Sequence, residues 1–232
     1  MDAEELLRRY AAGERDFSGV KLWSGYLDGA DLREINLSNA SLHISCIRVD
    51  FTKAVMCEAE LSSISMENSI LLQADLSDCN ITEVNLTRTS LIGAKLNRSI
   101  INTVDLSFSD LRNADLSDAI LYESSFAHVD LSNAQLSRIR IEGTSLDWSI
   151  LSCASLENTV LKSVYLGHTN LRGARLTDAT FEVVDLRNAD LKDAIVKKTV
   201  LRRCFFCYTR LPNGDVIGER EGFRDTDERV LS

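Results

Sequence analysis

The chain has 232 residues, a formal net charge of −9 and 44% hydrophobic residues, which is enough apolar material for a substantial core. Its acidity argues against a protein that binds nucleic acid non-specifically or adheres to anionic membranes. No apolar run approaches the length of a membrane-spanning helix, so we expect neither direct nucleic-acid binding nor membrane insertion. Pro212 is the single proline, and regular structure should therefore fill most of the chain.

The first residues predict a short helix. Asp2 and Glu5 have the spacing of a capping box, and Leu6 and Tyr10 lie on one apolar face of a helix over residues 2–12. This acidic start lacks the apolar stretch of a secretory signal. We therefore expect a cytoplasmic protein whose six cysteines are reduced.

A five-residue periodicity follows. Every fifth residue from Phe51 to Leu211 is apolar, over 33 consecutive positions. The residue two before each of these central positions is always Ala, Ser, Thr, Cys, Val or Ile. Upstream the pattern runs from Phe17 to Ile47 in a shifted frame, which predicts a one-residue deletion between Ile47 and Phe51. The period matches neither a lone helix nor a flat strand. It predicts a tube that turns a corner every five residues and buries one large and one small side chain per side.

The repeat resembles a known family. Residues 114–118 (ADLSD), 129–133 (VDLSN) and 189–193 (ADLKD) match the motif Ala-(Asp/Asn)-Leu-X-X of pentapeptide-repeat proteins. The resemblance covers residues 17–211 and implies an all-β solenoid, a right-handed quadrilateral β-helix with four repeats per coil. Forty repeats then imply about ten coils, each rising by one strand spacing of about 4.8 Å. Residues 6–17 also resemble the opening of cyanobacterial members of the family.

We divide the chain into three parts: an N-terminal helical cap (1–16), the pentapeptide-repeat β-helix (17–211), and a C-terminal turn and polar tail (212–232). Caps are expected because an open coil exposes unpaired backbone. The tail begins with the turn sequence PNGD, is charged, and lacks a sustained apolar helical face. It predicts a short cap followed by a frayed end.

No pattern points to catalysis. The sequence lacks a glycine-rich phosphate loop, an HExxH motif and a nucleophile elbow, and most aspartates fall at an outward position just before a central residue. Cys204 and Cys207 have the CxxC spacing of redox and zinc sites, but the frame points Cys204 inward and Cys207 outward. His128 and His168 lie two coils apart, too far to share a metal ion. We expect no enzyme, no metal and no cofactor.

Positions 20 residues apart should stack on adjacent coils, and one face then carries charges that alternate in sign from coil to coil. These residues are Asp75, Asp78, Lys95, Arg98, Asp115, Asp118, Arg138, Glu157, Arg175 and Asp178. Alternation favours solubility and in-register stacking over a binding role. The family resemblance also suggests another function, since gyrase-protecting members are thought to imitate DNA with a continuous acidic rod. Interleaved bases make a poor imitation of DNA, so inhibition or protection of a type II topoisomerase is kept as the alternative function.

A different face carries an aromatic column. The second residue after the central position, taken every 20 residues, is Phe108, His128, Trp148, His168, Asn188 and Tyr208, and Tyr165 and Phe205 flank the same face. Two interpretations stay open: a self-supporting stacking ladder, or a binding site for a protein partner. Ile70, Leu72 and Ile92 form a smaller cluster on an adjacent side. It is a candidate for self-association, although scattered surface apolarity is the favoured interpretation.

The sequence therefore predicts a non-enzymatic β-solenoid that acts as a protein-interaction rod, a regulator or scaffold for a protein partner that the sequence does not identify. A purely structural rod without any partner is the remaining alternative. We expect a monomer or a weak oligomer.

Overall fold

Behind one N-terminal helix, the chain winds as a parallel β-solenoid in the computed structural model, which describes residues 1–218 and 229–231. The expected fold class is confirmed. Backbone hydrogen bonds run along the solenoid axis from coil to coil: Leu111 N–H donates to the Asp130 carbonyl at 2.7 Å, and Asp130 N–H donates to the Ser109 carbonyl at 3.1 Å. Each coil is therefore held by the coil before it and the coil after it.

The named strands share one side of the solenoid and pair in parallel in chain order. They are β1 (Lys21–Leu22), β2 (Ser41–Leu42), β3 (Glu60–Ser62), β4 (Asn80–Thr82), β5 (Ile100–Asn102), β6 (Ile120–Tyr122), β7 (Arg140–Glu142), β8 (Val160–Lys162), β9 (Thr180–Glu182) and β10 (Thr199–Arg202). The other sides are joined by single bridges between residues that stack in the same way.

The two inward columns form the core. Every central residue from Phe17 to Leu191 is buried. Most buried hydroxyls of the small column donate to the preceding coil: Ser109 Oγ donates to the Leu86 carbonyl at 2.7 Å, and Thr169 Oγ1 donates to the Leu146 carbonyl at 3.0 Å. Others donate to a carbonyl of their own coil, as Ser124 Oγ does to Tyr122 at 2.7 Å. Buried serine and threonine therefore keep a hydrogen bond in this column.

The short coil lies earlier than the sequence predicted. The expected four-residue step between Ile47 and Phe51 is wrong, because Cys46 occupies the central position and is fully buried, whereas Ile47 is only half-buried at an outward position. The step of four therefore separates Leu42 from Cys46. A constant step of five from Leu42 predicts Ile47 at the central position, and Ile47 is also a larger apolar residue than the neighbouring Cys46.

The corners explain the Asp/Asn of the repeat. Asp130 Oδ1 accepts the backbone N–H of Ser132 at 2.9 Å, and Asp110 Oδ1 accepts that of Arg112 at 3.2 Å. These Asx turns fix the chain just before it bends. The next residue adopts a left-handed conformation, as Asn113 does with φ 59°, and asparagine tolerates that region better than most residues.

Val183 is a β-branched residue in such a left-handed corner, with φ 57°. We expect Val183→Asn to raise the free energy of unfolding by about 1 kcal/mol, because it relieves backbone strain, and Asn113→Val to lower it by a similar amount. Urea unfolding of both variants measures the two changes. A loss of stability in Val183→Asn would show that the apolar contacts of Val183 outweigh the strain.

Both ends of the solenoid are covered. Helix α1 (Ala3–Ala11) is capped by Asp2, whose carboxylate accepts the Glu5 N–H at 2.8 Å, and it buries Leu6 against the first coils. Gly25 lets the helix approach, since a Cβ there would lie 2.8 Å from the Cβ of Ala3. In the described part of the chain, no helix is both long and apolar enough to cross a membrane.

At the other end, β11 (Thr209–Arg210) pairs antiparallel with β12 (Val216–Ile217), and β13 (Arg229–Leu231) pairs antiparallel with β10. The sequence did not predict these antiparallel strands. Most of the segment expected to fray, residues 219–228 and 232, lies outside the described residues.

Candidate functional site

Phe108, His128, Trp148 and His168 form one stacked column on four consecutive coils, which we call the aromatic ladder. Successive ring centroids are 4.8, 6.0 and 3.8 Å apart, and successive ring planes deviate by 6°, 12° and 5°. All four residues occupy left-handed corners, with φ between 57° and 62°. The corner conformation thus projects each ring outward at the same place on its coil.

Polar groups continue the column beyond the ladder. The Arg88 guanidinium lies 5.7 Å from the Phe108 centroid at one end, and Asn188 Nδ2 lies 3.4 Å from His168 Nε2 at the other. Most ring faces are consequently covered by neighbours, while Phe108 and Trp148 still remain 57% and 54% exposed. A partner would therefore meet the edges of these rings. The stacking is present, and partner binding stays a prediction.

Tyr165 and Phe205 lie on the same side in the column just before the central position. Both residues are exposed and lie two coils apart. Asp185, on the coil between them, forms a backbone β-bridge with each of them. A hollow of about 410 Å³ opens between the two rings. Its floor carries the ion pair of Asp185 with Arg187, whose Nε is 2.9 Å from Oδ1. Burial alone would raise the pKa of Asp185, but hydrogen bonds from the side chain and backbone of Arg187 outweigh it and lower that pKa.

A second hollow of about 360 Å³ is bounded by Trp148, Tyr165, His168 and Arg187, with Gly167 among its lining residues. The backbone of Gly167 does not require glycine, because its φ lies outside the left-handed region. A Cβ there would instead come within 2.9 Å of the Asp147 carboxylate, which accepts the Gly167 N–H at 2.7 Å. A side chain at position 167 would therefore displace the Asp147 carboxylate that lines this hollow. Sequence analysis missed it, although a lone glycine among larger residues in its column was a usable signal.

The charge-alternating face is a set of ion pairs between coils. Arg98 and Arg138 each make a two-pronged contact with the aspartate 20 residues earlier, Asp78 and Asp118 respectively. Side-chain hydrogen bonds from these arginines lower the pKa of each aspartate. Asp75 pairs in the same way with Lys95 at 3.0 Å. Exposed pairs contribute about 0–1 kcal/mol each, and they neutralise only part of the negative charge on this face.

Tyr208, in the ladder's column two coils beyond His168, is half exposed. The expected self-association cluster is modest, since Ile70 is 42% exposed while Leu72 and Ile92 are only partly exposed. Self-association there stays a prediction.

A further aromatic group near the first coils was missed. Trp23 stacks on His43 with ring centroids 4.0 Å apart, and Tyr26 beside it is 71% exposed. The two residues are 20 positions apart and directly follow the central residues Leu22 and Leu42, so the 20-residue register was a usable signal for this pair.

The parallel coils, five-residue sides and Asx-turn corners define a pentapeptide-repeat protein. The family model "Pentapeptide repeats" matches eight copies, over residues 16–48, 59–98, 69–107, 102–143, 139–178 and 165–206. The chain belongs to the pentapeptide-repeat family.

Two solved structures illustrate its likeness to other members. HetL, a pentapeptide-repeat protein involved in heterocyst differentiation regulation from the cyanobacterium Nostoc, is 25% identical, with a TM-score of 0.52 over 94% of this chain and 100% of that chain. QnrB1, a plasmid-mediated fluoroquinolone resistance protein, is 18% identical, with a TM-score of 0.50 over 68% of this chain and 89% of that chain. No curated protein sequence matches this chain.

Proposed function

We propose that this chain is a non-enzymatic protein-interaction rod in the cytoplasm, a regulatory or scaffolding partner of another protein, and that its working face bears the aromatic ladder. The strongest support for this proposal is that the exposed ring edges of the ladder lie beside the two hollows, on the same side of the solenoid. Trp, Tyr and Arg are the commonest interface anchors, and Trp148, Tyr165 and Arg187 line one hollow together. The full-length likeness to HetL supports a regulatory role.

DNA mimicry is less well supported. The likeness to QnrB1 concerns the fold, and on the charge-alternating face Asp75, Asp78 and Asp118 are each paired with a lysine or arginine of the next coil. A gyrase supercoiling assay separates the two functions, because the interaction rod should leave supercoiling unchanged.

Replacing Phe108, Trp148 and Tyr165 together by serine is expected to weaken partner binding at least about 100-fold, since central aromatic anchors contribute most of the binding free energy at interfaces. The measurement is recovery of partners from source-cell lysate, followed by Kd determination with the recovered protein. This variant and the control variant described next should first be shown to be folded by circular dichroism.

The matched control replaces three exposed apolar residues away from the ladder's side, Ile100, Val160 and Ile195, by serine. It should retain the partner. Equal recovery by the wild type and the ladder variant would reduce the ladder to a stacking device, and recovery of no partner at all would favour the purely structural rod.

A further inference from the structure

A floor of small side chains lies beside the aromatic ladder. On four consecutive coils it consists of Asn85, Thr87, Asp105, Ser107, Ser125, Ala127, Ser145 and Asp147. The ladder's column borders this floor on one edge, and the corners that carry Glu83 and Glu123 border it on the other. On the next coil the exposed ring of Tyr165 ends the run of small residues. We call this surface the trough.

The backbone of the trough offers nothing to a partner strand. Phe108 N–H donates to the Ala127 carbonyl at 3.0 Å, and His128 N–H donates to the Asp147 carbonyl at 3.0 Å. Such bonds run between coils, so this side has no free strand edge. A partner must dock through side chains, and a helix presents side chains alone because its own backbone is bonded internally.

The spacing of the ladder suits a helix. Coils repeat at about 4.8 Å along the rod, and an α-helix advances about 5.4 Å per turn. A helix lying nearly along the rod axis thus places about one turn over each coil. Its apolar stripe then meets the exposed edges of Phe108, His128 and Trp148 in succession, while the small floor leaves room for its width.

Charge determines which helix fits. Glu83, Asp105, Glu123 and Asp147 have no ion pair with a basic side chain among the residues that the structure describes. Their hydrogen bonds come from neutral groups: Ser63 Oγ donates to Glu83 at 2.8 Å, for example. The nearby Arg88 is paired with Glu67 at 3.4 Å. The trough is therefore an acidic strip beside an apolar one.

We propose that the trough binds a basic amphipathic helix of a protein partner, with its apolar stripe on the ladder and its lysine or arginine side chains towards these four carboxylates. This inference rests on the proposed function and adds the chemistry and shape of the partner segment. Long-range attraction between a basic helix and a chain of net charge −9 would also speed encounter.

The test uses three labelled peptides of about 18 residues, roughly five helical turns. One is a Leu/Lys amphipathic helix, one is its Leu/Glu counterpart, and one has the Leu/Lys composition in an order without an apolar stripe. Fluorescence anisotropy should show tightest binding for the amphipathic Leu/Lys peptide, by about tenfold or more, with affinity falling as salt rises. Equal or tighter binding of the Leu/Glu peptide, or equal binding of the stripeless one, overturns the inference.

Glu83→Gln with Glu123→Gln locates the site. Removing two exposed charge contacts should weaken the Leu/Lys peptide by up to about tenfold and reduce its salt dependence. Glu34→Gln with Glu58→Gln is the matched control, because both glutamates are exposed, have positive φ at the same corner position and lie on other sides. Equal losses in the two double variants would mean general attraction to an acidic protein and would overturn the inference.

The recovered partner separates the two proposals. If the ladder variant loses it and the Glu83/Glu123 variant binds it as well as the wild type does, the proposed function stands and the basic helix is wrong. If the ladder variant retains it, the proposed working face is wrong. Loss from both variants, with retention by the Glu34/Glu58 control, supports both.

Discussion

Phe126→Ala is expected to lower the free energy of unfolding by about 3–5 kcal/mol, whereas Phe108→Ala should cost about 1 kcal/mol. The two residues differ in side-chain burial and not in chemistry. Phe126 is 1% exposed at a central position, between the buried Leu106 and Leu146 of the neighbouring coils. Alanine at position 126 leaves a cavity, and the rigidly stacked coils cannot move together enough to fill it. Phe108 is 57% exposed, and its removal mainly costs the stacking contact with His128.

Urea unfolding followed by far-ultraviolet circular dichroism measures both changes. Stacked repeats can unfold in parts, so amide hydrogen exchange should accompany it. The Phe126 N–H, which donates to the Ser145 carbonyl at 2.7 Å, should lose protection first in Phe126→Ala. Equal unfolding midpoints for the two variants would mean that burial in the central column does not dominate stability.

The ladder's stacking and its proposed binding role support each other. Each ring is held by the rings or polar groups above and below it, as Trp148 is between His128 and His168. A side chain that is already ordered loses less rotamer entropy when a partner binds. The exposed edges are therefore better anchors than the same rings would be on a mobile loop.

The sequence could predict the fold and the aromatic column because both depend on one repeated geometry. From Phe51 onward a constant 20-residue register makes every column readable, so Phe108, His128, Trp148 and His168 meet as expected. The Asx-turn role of the aspartates also follows from the period, which fixes where each corner falls.

Features that break the repeat could not be predicted in this way. Cys46 and Ile47 are both acceptable core residues, and only pairing with the coils on either side decides which one turns inward. Strand β13 pairs antiparallel with β10 across a long intervening segment, and no periodicity encodes that contact. The hollow at Gly167 depends on the contact that a side chain there would make with Asp147 of the preceding coil, which the sequence of one coil alone does not show.

Native alkylation at pH 8 should be at least about tenfold slower at Cys204 than at Cys153. Burial raises the pKa of Cys204 to about 11, so about one molecule in a thousand carries the reactive thiolate at pH 8. Its Sγ also points inward, 3.7 Å from the Phe181 carbonyl, whereas Cys153 is exposed. The rate at Cys204 should rise about tenfold per pH unit while the fold persists.

Iodoacetamide labelling of the native protein, followed by mass spectrometry of its peptides, measures both cysteines in one sample. Cys79, whose pKa burial raises to about 12, is the internal control and should react at least as slowly as Cys204. Equal rates at Cys204 and Cys153 would contradict the inward placement of Cys204. A disulfide between Cys204 and Cys207, or zinc retained by the wild type and lost from Cys204→Ser, would restore the CxxC pair as a chemical site. Slow reaction at both Cys204 and Cys79 would instead show that these thiols are inaccessible. The outer surface, with the ladder and the trough, is then where a partner meets the protein.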